Sequence, residues 1–332
     1  MTDANRTLVE AVNDGLHTAM AADERVIVYG EDVGDNGGVF RATDGLIEAF
    51  GDERVVDTPI AEISIVGSAV GLSMAGFRPV AEIQFSGFIP PVFNQLVSMA
   101  SRIRWRTRGE HNAPMVVRAP YGGGVRALEH HSESLESAYA HVPGLQVVIP
   151  GTPYDTKGLL QSAIDDPDPV LFLEPKLHYR AGRQEVPDGQ YSVPLGDAAV
   201  RRKGTDVTVI SWGSMMPPTM EAVDSLEDRR DVDVEVIDVR TLSPLDRETI
   251  VESIKKTGKA TVVHEGPKSG GFAAELVATL NERALMYLEA PIHRVTGFDV
   301  PIPMLGMEDY YLPNPPRIAA GIERTLAGEG GV

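Results

Sequence analysis

Short apolar, β-rich runs alternate with stretches of helical periodicity along almost the whole chain, a rhythm that predicts parallel sheets joined by crossover helices. The pattern predicts strands over residues 25–29, 54–57, 79–85, 115–118, 146–149 and 170–174, and helices over 7–21, 62–75, 91–106 and 153–164. A polar stretch bearing proline and glycine, 181–195, then interrupts it. Beyond that stretch, strands over 207–211, 234–238, 260–264 and 293–295 alternate with helices over 217–227, 246–256 and 270–283. The restart predicts two α/β domains in series: residues 1–185, a linker at 186–198, and residues 199–328. The length of 332 residues agrees, since a single hydrophobic core seldom grows that large.

Composition then narrows the function classes. A net charge of -18 gives a phosphate backbone no basic face to meet, so nucleic acid is not an expected partner, whereas a basic protein is compatible. Lysine is scarce: Lys157, Lys176, Lys203, Lys255, Lys256, Lys259 and Lys268 face abundant acid, as in proteins kept soluble at high salt or in an ordinary acidic protein. The chain has no cysteine, so it can form neither disulfides nor thiolate metal sites, which suits a reducing compartment. The N-terminus shows no basic segment followed by an apolar core, and no run approaches the length of a bilayer span. A cytoplasmic protein without membrane association is the expectation.

Several familiar chemistries are missing. No G-x-G-x-x-G follows a strand, and Thr257-Gly258-Lys259 lacks the upstream glycine of a phosphate-binding loop. There is no H-E-x-x-H and no G-x-S-x-G, which removes the zinc-protease and α/β-hydrolase readings. The informative segments follow predicted strands, where open α/β sheets place their ligands. GEDVGDNGGVF, 30–40, puts Glu31 and Asp32 at such a strand end; the plainer reading is a glycine turn with solvated acids. DTPIAEISIVGSAVGLSMAG, 57–76, opens a helix at Glu62 crowded with small residues, which suits close approach to another helix or subunit and predicts a mostly buried element. Glu62 would sit at the positive end of the helix dipole, either as a working carboxylate or simply as complementary charge. AEIQFSGFIPPVFNQ, 81–95, brings Phe85 and Phe88 near a loop where a planar ring can stack, unless they are only core. APYGGGVRALEHHSES, 119–134, supplies a glycine cluster and the adjacent His130 and His131, which are either functional or structural histidines.

Together, GEDVGDNGGVFRAT, DTPIAE, AEIQF, RIRWRT, APYGGGV, HHSES, PGLQVVIPGTPYDTKGLL, DPVLFLEPK, VIDVRTLSPLD and LEAPIHRVTGFDVP resemble the beta subunits of pyruvate and branched-chain 2-oxoacid dehydrogenases, in order and spacing and over nearly the whole chain. The resemblance implies a transketolase-like pyrimidine-binding domain followed by a transketolase C-terminal-like domain. It also implies oxidative decarboxylation of pyruvate with thiamine diphosphate as cofactor, and acyl transfer to the lipoyl groups of an acyltransferase core.

Carried onto this sequence, the resemblance implies that Glu62 hydrogen-bonds a ring nitrogen of the aminopyrimidine. This favours the imino tautomer that deprotonates the thiazolium carbon. Phe88 matches an aromatic residue against the pyrimidine, Gln84 a polar residue beside it, and Glu31 an acid near the cofactor. His131 matches a histidine that orients substrate and assists acyl transfer; His130 is a neighbour without an assigned role. Acids that some bacterial relatives carry just after the Phe88 position are replaced here by Pro91 and Asn94, so a proton relay through them would have to be shortened or run through water. A structural potassium ion in some branched-chain relatives would fall on backbone carbonyls of Ala113, Met115, Ala163, Asp166 and Asp168. The G-D-G start and later Asn-Asn of the diphosphate and magnesium half are absent, so the resemblance implies an alpha subunit that holds Mg2+ and an alpha2beta2 heterotetramer. The C-terminal domain would contact the core, whose basic docking module suits this acidic chain.

The alternatives are a branched-chain substrate, toward which SGGFAAE and RVTGFD lean while GGVFRAT and YGGGV lean toward pyruvate, and a non-catalytic scaffold in which Glu62 is dispensable. A transketolase or deoxyxylulose-phosphate synthase would carry both cofactor halves on one longer chain.

Overall fold

In the computed structural model, which describes residues 3–329, the apolar runs form two mostly parallel sheets, one in each of two units. The first unit comprises the chain up to residue 121 together with 138–195; the second comprises 122–137 and the chain from 196 onward. The spatial order in the first unit is Gln146–Val148, Val170–Pro175, Val116–Tyr121, Arg78–Glu82, Val26–Gly30 and Val55–Asp57, every pairing being parallel. Strands Val116–Tyr121 and Val170–Pro175 are buried at every position, which is why they read as continuous apolar runs rather than as alternation. Helix Leu8–Ala22 starts on a capping box: the Glu10 carboxylate accepts the Thr7 N–H at 2.8 Å, and the Thr7 hydroxyl accepts the Glu10 N–H at 3.4 Å. Leu8, Val12, Leu16, Val28, Val80 and Phe172 share one core on that side of the sheet.

The stretch expected to link the units is packed along part of its length. Gln184–Pro187 pairs antiparallel with the strand Asp3–Arg6, and Val186 and Val193 are buried. The single helix expected over 91–106 is not formed. Pro90 and Pro91 lack the N–H groups a regular turn needs, and the chain passes through a tight turn at Pro90–Val92, a π-helical segment at Gln95–Met99 and a 3-10 turn at Ala100–Arg102 before one α-turn at Ile103–Arg106. Helix Glu62–Met74 also departs from expectation. It buries Ile65, Val66, Ala69, Val70 and Ser73 against its own unit, while Ser64, Ser68, Gly71 and Ala75 form an exposed stripe one and two turns apart. One helix face suffices to cover the sheet, which leaves these small residues exposed.

In the second unit the order is His293–Val295, Ala260–Val263, Val207–Ser211, Val234–Asp238 and Ala199–Arg202, the last strand antiparallel. Helices Met216–Glu227, Arg247–Thr257 and Ala273–Ala284 correspond to those expected. A further helix, Pro315–Leu326, was not: it begins on Pro315 and Pro316, with the Asn314 side chain accepting the Arg317 N–H at 3.0 Å. Among the described residues no helix is long and apolar enough to cross a membrane.

Candidate active site

Strand Val26–Gly30 lies between Val55–Asp57, which follows it in sequence, and Arg78–Glu82, which comes after that. The connections therefore diverge to either side of Val26–Gly30, and the carboxyl ends there are the position at which open parallel sheets hold their ligands. Glu31 leaves the end of the first strand, Glu62 opens the helix after the second, and Gln84 and Phe88 follow the third. The Asp57 carboxylate folds the intervening loop back on the sheet by accepting the N–H groups of Gly34 at 2.7 Å and Asp35 at 3.3 Å. Asp57 and the loop glycines are thus scaffolding.

Electrostatics tie the acids together. Glu31 is 6% exposed, and burial holds its carboxyl above the usual carboxylate range, with further upward pushes from the charges of Glu62, Asp32 and Glu82. Glu62 is half-buried at the first position of its helix, and among the described residues its carboxylate has no ion pair or hydrogen-bonded partner. The Gln84 amide donates to Asp32 at 3.4 Å. The Phe88 ring meets Phe85 edge-on at 6.0 Å between centroids, and Phe85 meets Phe40 at 5.6 Å. Four of the residues singled out from sequence, Glu31, Glu62, Gln84 and Phe88, therefore converge on neighbouring strand ends.

A buried ionic network underlies them. The Arg118 guanidinium donates twice to Glu174, at 2.7 Å each, and once to Glu82, while the Tyr179 hydroxyl donates to Glu174. Arg118 and Glu174 are fully buried and Glu82 is 3% exposed. Burial pushes the Glu82 carboxyl up, against the pull of Arg118. Arg118 is held above its ordinary value because Glu174 and Glu82 outweigh the burial that opposes its charge. Sequence reasoning missed all three; the available signal was a charged residue inside an apolar run with both faces covered.

His131 stands in the second unit, in the turn Glu129–His131 of segment 122–137, with its ring 4.3 Å from that of His130. Two buried carboxylates fasten this segment. Glu308, 1% exposed, accepts the N–H groups of Gly124 and Arg126, each at 2.6 Å, and Glu265 accepts the hydroxyls of Ser134 and, at 2.7 Å, Ser214. The glycine cluster is explained by these anchors: a Cβ on Gly122 would strike the Glu265 carboxylate, and one on Gly123 would come within 2.6 Å of Glu308 Oε1. Nearby Glu136 is pushed up to about 7 by burial. Glu265 and Glu308 lie 131 and 184 residues from their partners Ser134 and Gly124, so no local pattern could reveal them.

The carbonyls considered for potassium lie in the first unit. Ala113, Met115 and Ala163 are buried, and the Met115 carbonyl already accepts the Val170 N–H at 3.0 Å. Ala163 sits in the last turn of helix Pro153–Asp165, where carbonyls run out of intrahelical partners. Asp166 caps the Asp168 N–H at 2.8 Å, and the Asp168 carboxylate pairs with Arg104 at 2.7 Å. Among the described residues no group of three His, Asp or Glu side chains is placed to hold a metal ion.

Residues 5–182 match the family described as "Transketolase, pyrimidine binding domain", and residues 196–318 match "Transketolase, C-terminal domain". The pyruvate dehydrogenase E1 component subunit beta of Acholeplasma laidlawii is 54% identical, covering 96% of this chain and 97% of its own length. The chain belongs to the E1 beta family of 2-oxoacid dehydrogenases. Other E1 beta relatives include the pyruvate dehydrogenase subunit of Bacillus subtilis, 50% identical over 94% of this chain and 95% of that one. The 3-methyl-2-oxobutanoate dehydrogenase subunit beta of Mycobacterium tuberculosis is also 50% identical, over 96% of this chain and 92% of that one. A solved chain described as "Split gene transketolase, inactive beta4 tetramer" shares the E1 beta fold at a TM-score of 0.80, with 22% identity, covering 98% of this chain and 100% of that one. The E1 beta family depends on thiamine diphosphate, and its members are components of an oxidoreductase complex.

Proposed function

We propose that this beta subunit supplies the aminopyrimidine half of a thiamine diphosphate site in a pyruvate dehydrogenase. The observation that carries the reading is the placement of Glu31 and Glu62 at the diverging strand ends, where Glu62 has no partner among the described residues and the Glu31 pKa is raised. A carboxylate without a partner among the described residues, beside a second carboxyl whose pKa is raised, fits a ring nitrogen that must gain and lose a proton. Glu62 holds a proton on that nitrogen, Gln84 contacts the ring's polar edge, and Phe88 packs against its face. When bound, the cofactor supplies the carbanion-stabilising chemistry that decarboxylation of a 2-oxoacid requires. His131 orients substrate and assists transfer of the acyl group to a lipoyl arm.

The diphosphate and its Mg2+ fall to an alpha subunit in an alpha2beta2 assembly. The exposed small-residue stripe of helix Glu62–Met74, flanked by exposed Ile60, Ile63 and Met74, supports a partner contact there. The buried carbonyls of Ala113, Met115 and Ala163, with Asp166 and Asp168, are the proposed potassium ligands, and the acidic second unit the docking face for the acyltransferase core. The assembly is cytoplasmic.

The test is reconstitution with the alpha partner and comparison of kcat/KM for pyruvate and 3-methyl-2-oxobutanoate. Pyruvate is expected to win. Extra methyl groups discriminate by only about 1–3 kcal/mol, so partial overlap is expected. A preference for the branched acid would overturn the substrate choice, and no turnover of either acid would overturn the enzymatic reading.

A further inference from the structure

A chain with 18 excess negative charges has an unexpected concentration of positive ones in its second unit. Lys268, Arg294, Arg317 and Arg324 line one cavity of about 440 Å³, together with His293 and Phe298, and the single carboxylate there belongs to Asp299. Among the described residues none of the four cations makes an ion pair. Asp299 is instead engaged by Ser269, whose N–H and hydroxyl donate to it at 2.8 and 2.7 Å.

The backbone sets the cations in place. On helix Pro315–Leu326, Arg317 and Arg324 are two turns apart on one face, and the positions between them in the cavity wall are Ala320 and Gly321. Gly321 packs so closely on strand His293–Val295 that a Cβ would collide with Val295, so the floor between the arginines stays open. Arg317 is fixed by donating to the carbonyls of Tyr311, at 2.9 Å, and Thr296, and by lying 4.4 Å over the Phe298 ring. Arg294 is fixed by donating to the Lys268 carbonyl at 3.1 Å. Burial lowers the Arg317 pKa, and burial together with the charges of Arg324 and Lys268 lowers that of the His293 ring.

We infer that this cavity is a binding site for a small polyanion with phosphate-type oxygens. Four cations against one carboxylate leave a net +3, which a single carboxylate ligand would not neutralise. Planar guanidinium forks match phosphate oxygens, and the volume is within the roughly 300–1,000 Å³ range of small-ligand sites. The chain's overall charge repels anions at long range, so capture depends on this local arrangement. The residues that line it belong to the second unit, none is among those proposed for the cofactor, and the inference does not rest on that reading.

The full-length chain is titrated with inorganic pyrophosphate, inorganic phosphate and phenyl phosphate at constant chloride. Binding is read by calorimetry and by the His293 ring resonances, assigned with His293→Asn. Saturable binding of one anion per chain is expected, with the His293 resonances moving toward the protonated form as the cations are neutralised. Tighter phenyl phosphate would mark an ester ligand resting on Phe298, tighter pyrophosphate a free polyanion; either supports the site. Among the described residues the Arg324 and Lys268 side chains make no ion pair or hydrogen bond, so Arg324→Gln and Lys268→Gln should keep the wild-type melting temperature and each weaken binding about tenfold or more. Absence of saturable binding, or undiminished binding in the folded double variant, would overturn the inference.

Discussion

Replacing Arg118 with methionine would remove the cation that Glu82 and Glu174 share while keeping a side chain of similar length. Both carboxylates are buried to 3% exposure or less, so neither can turn to water. Removing one partner of a buried ion pair costs about 3–5 kcal/mol, and because the three groups form one network the losses at Glu82 and Glu174 overlap rather than add. The expected loss at neutral pH is therefore about 3–5 kcal/mol, a large share of a typical domain's stability.

The loss should also depend on pH. Glu82 is already raised above its ordinary value of 4.5 by burial, and without the pull of Arg118 it rises further. A carboxyl with a raised folded-state pKa keeps its proton in the folded chain after the unfolded chain has lost it. Stability is then greatest below the unfolded pKa and falls as pH rises toward the folded pKa. The defect of the variant should accordingly shrink on acidification. Urea unfolding followed by circular dichroism at about pH 5.5 and about pH 7.5 measures the difference. Hydrogen exchange of strand Val116–Tyr121 would assign it to the first unit, since two units need not unfold together. The triple variant Glu82→Gln, Arg118→Met, Glu174→Gln should recover most of the loss, because it buries no unpaired charge. A defect below about 1 kcal/mol, or one equal at both pH values, would show that the network is not held as described.

Glu62→Gln should leave assembly with the alpha subunit intact and abolish proton–deuterium exchange at the thiazolium carbon; wild-type exchange in the assembled variant would remove Glu62 from the chemistry. Glu308→Gln keeps the shape of the anchor but weakens two charge-assisted bonds, a local cost of about 1–3 kcal/mol. Faster hydrogen exchange at residues 124–131 with unaltered exchange in helix Pro315–Leu326 is the expected signature, and unchanged protection of the segment would contradict it. Calorimetry should show weak binding of thiamine diphosphate to the beta chain alone and tight, magnesium-dependent binding once alpha is added; micromolar magnesium-dependent binding by beta alone would mean that it holds the diphosphate itself.

The parallel strands were legible because a strand covered on both faces is a continuous apolar run, and Val116–Tyr121 and Val170–Pro175 are of that kind. Because ligands gather at the ends of such strands, Glu31 could be singled out from the strand it follows and Phe88 from the loop beyond its strand, while Gln84, inside the strand expected over 79–85, was reached only through the family resemblance. The π-helical distortion near Gln95 was hidden because the surrounding residues are acceptable in a helix and only Pro90 and Pro91 signal a break. Helix Pro315–Leu326 was masked by the prolines ahead of Ile318 and Ile322, although those two residues carry its buried stripe. The Arg118 network depends on register: Glu82 lies opposite Arg118 only because two parallel strands align that way, and no spacing along the chain encodes it. The anchoring of the histidine segment by Glu265 and Glu308 likewise comes from the fold alone.

That anchoring bears on how such proteins can be recombined. Because residues 122–137 are built into the second unit while the chain on either side of them builds the first, the polypeptide passes between the units three times. A cut near residue 195 would not release two self-sufficient pieces. The C-terminal piece would keep Glu265 and Glu308 but lose Ser134, Gly124 and Arg126, leaving carboxylates shaped for absent donors. A chimera that exchanges C-terminal halves between relatives must therefore carry the 122–137 insert with them, or match its glycines to the new carboxylates. The histidine pair is thus inherited with the second unit, whatever its place in the linear sequence.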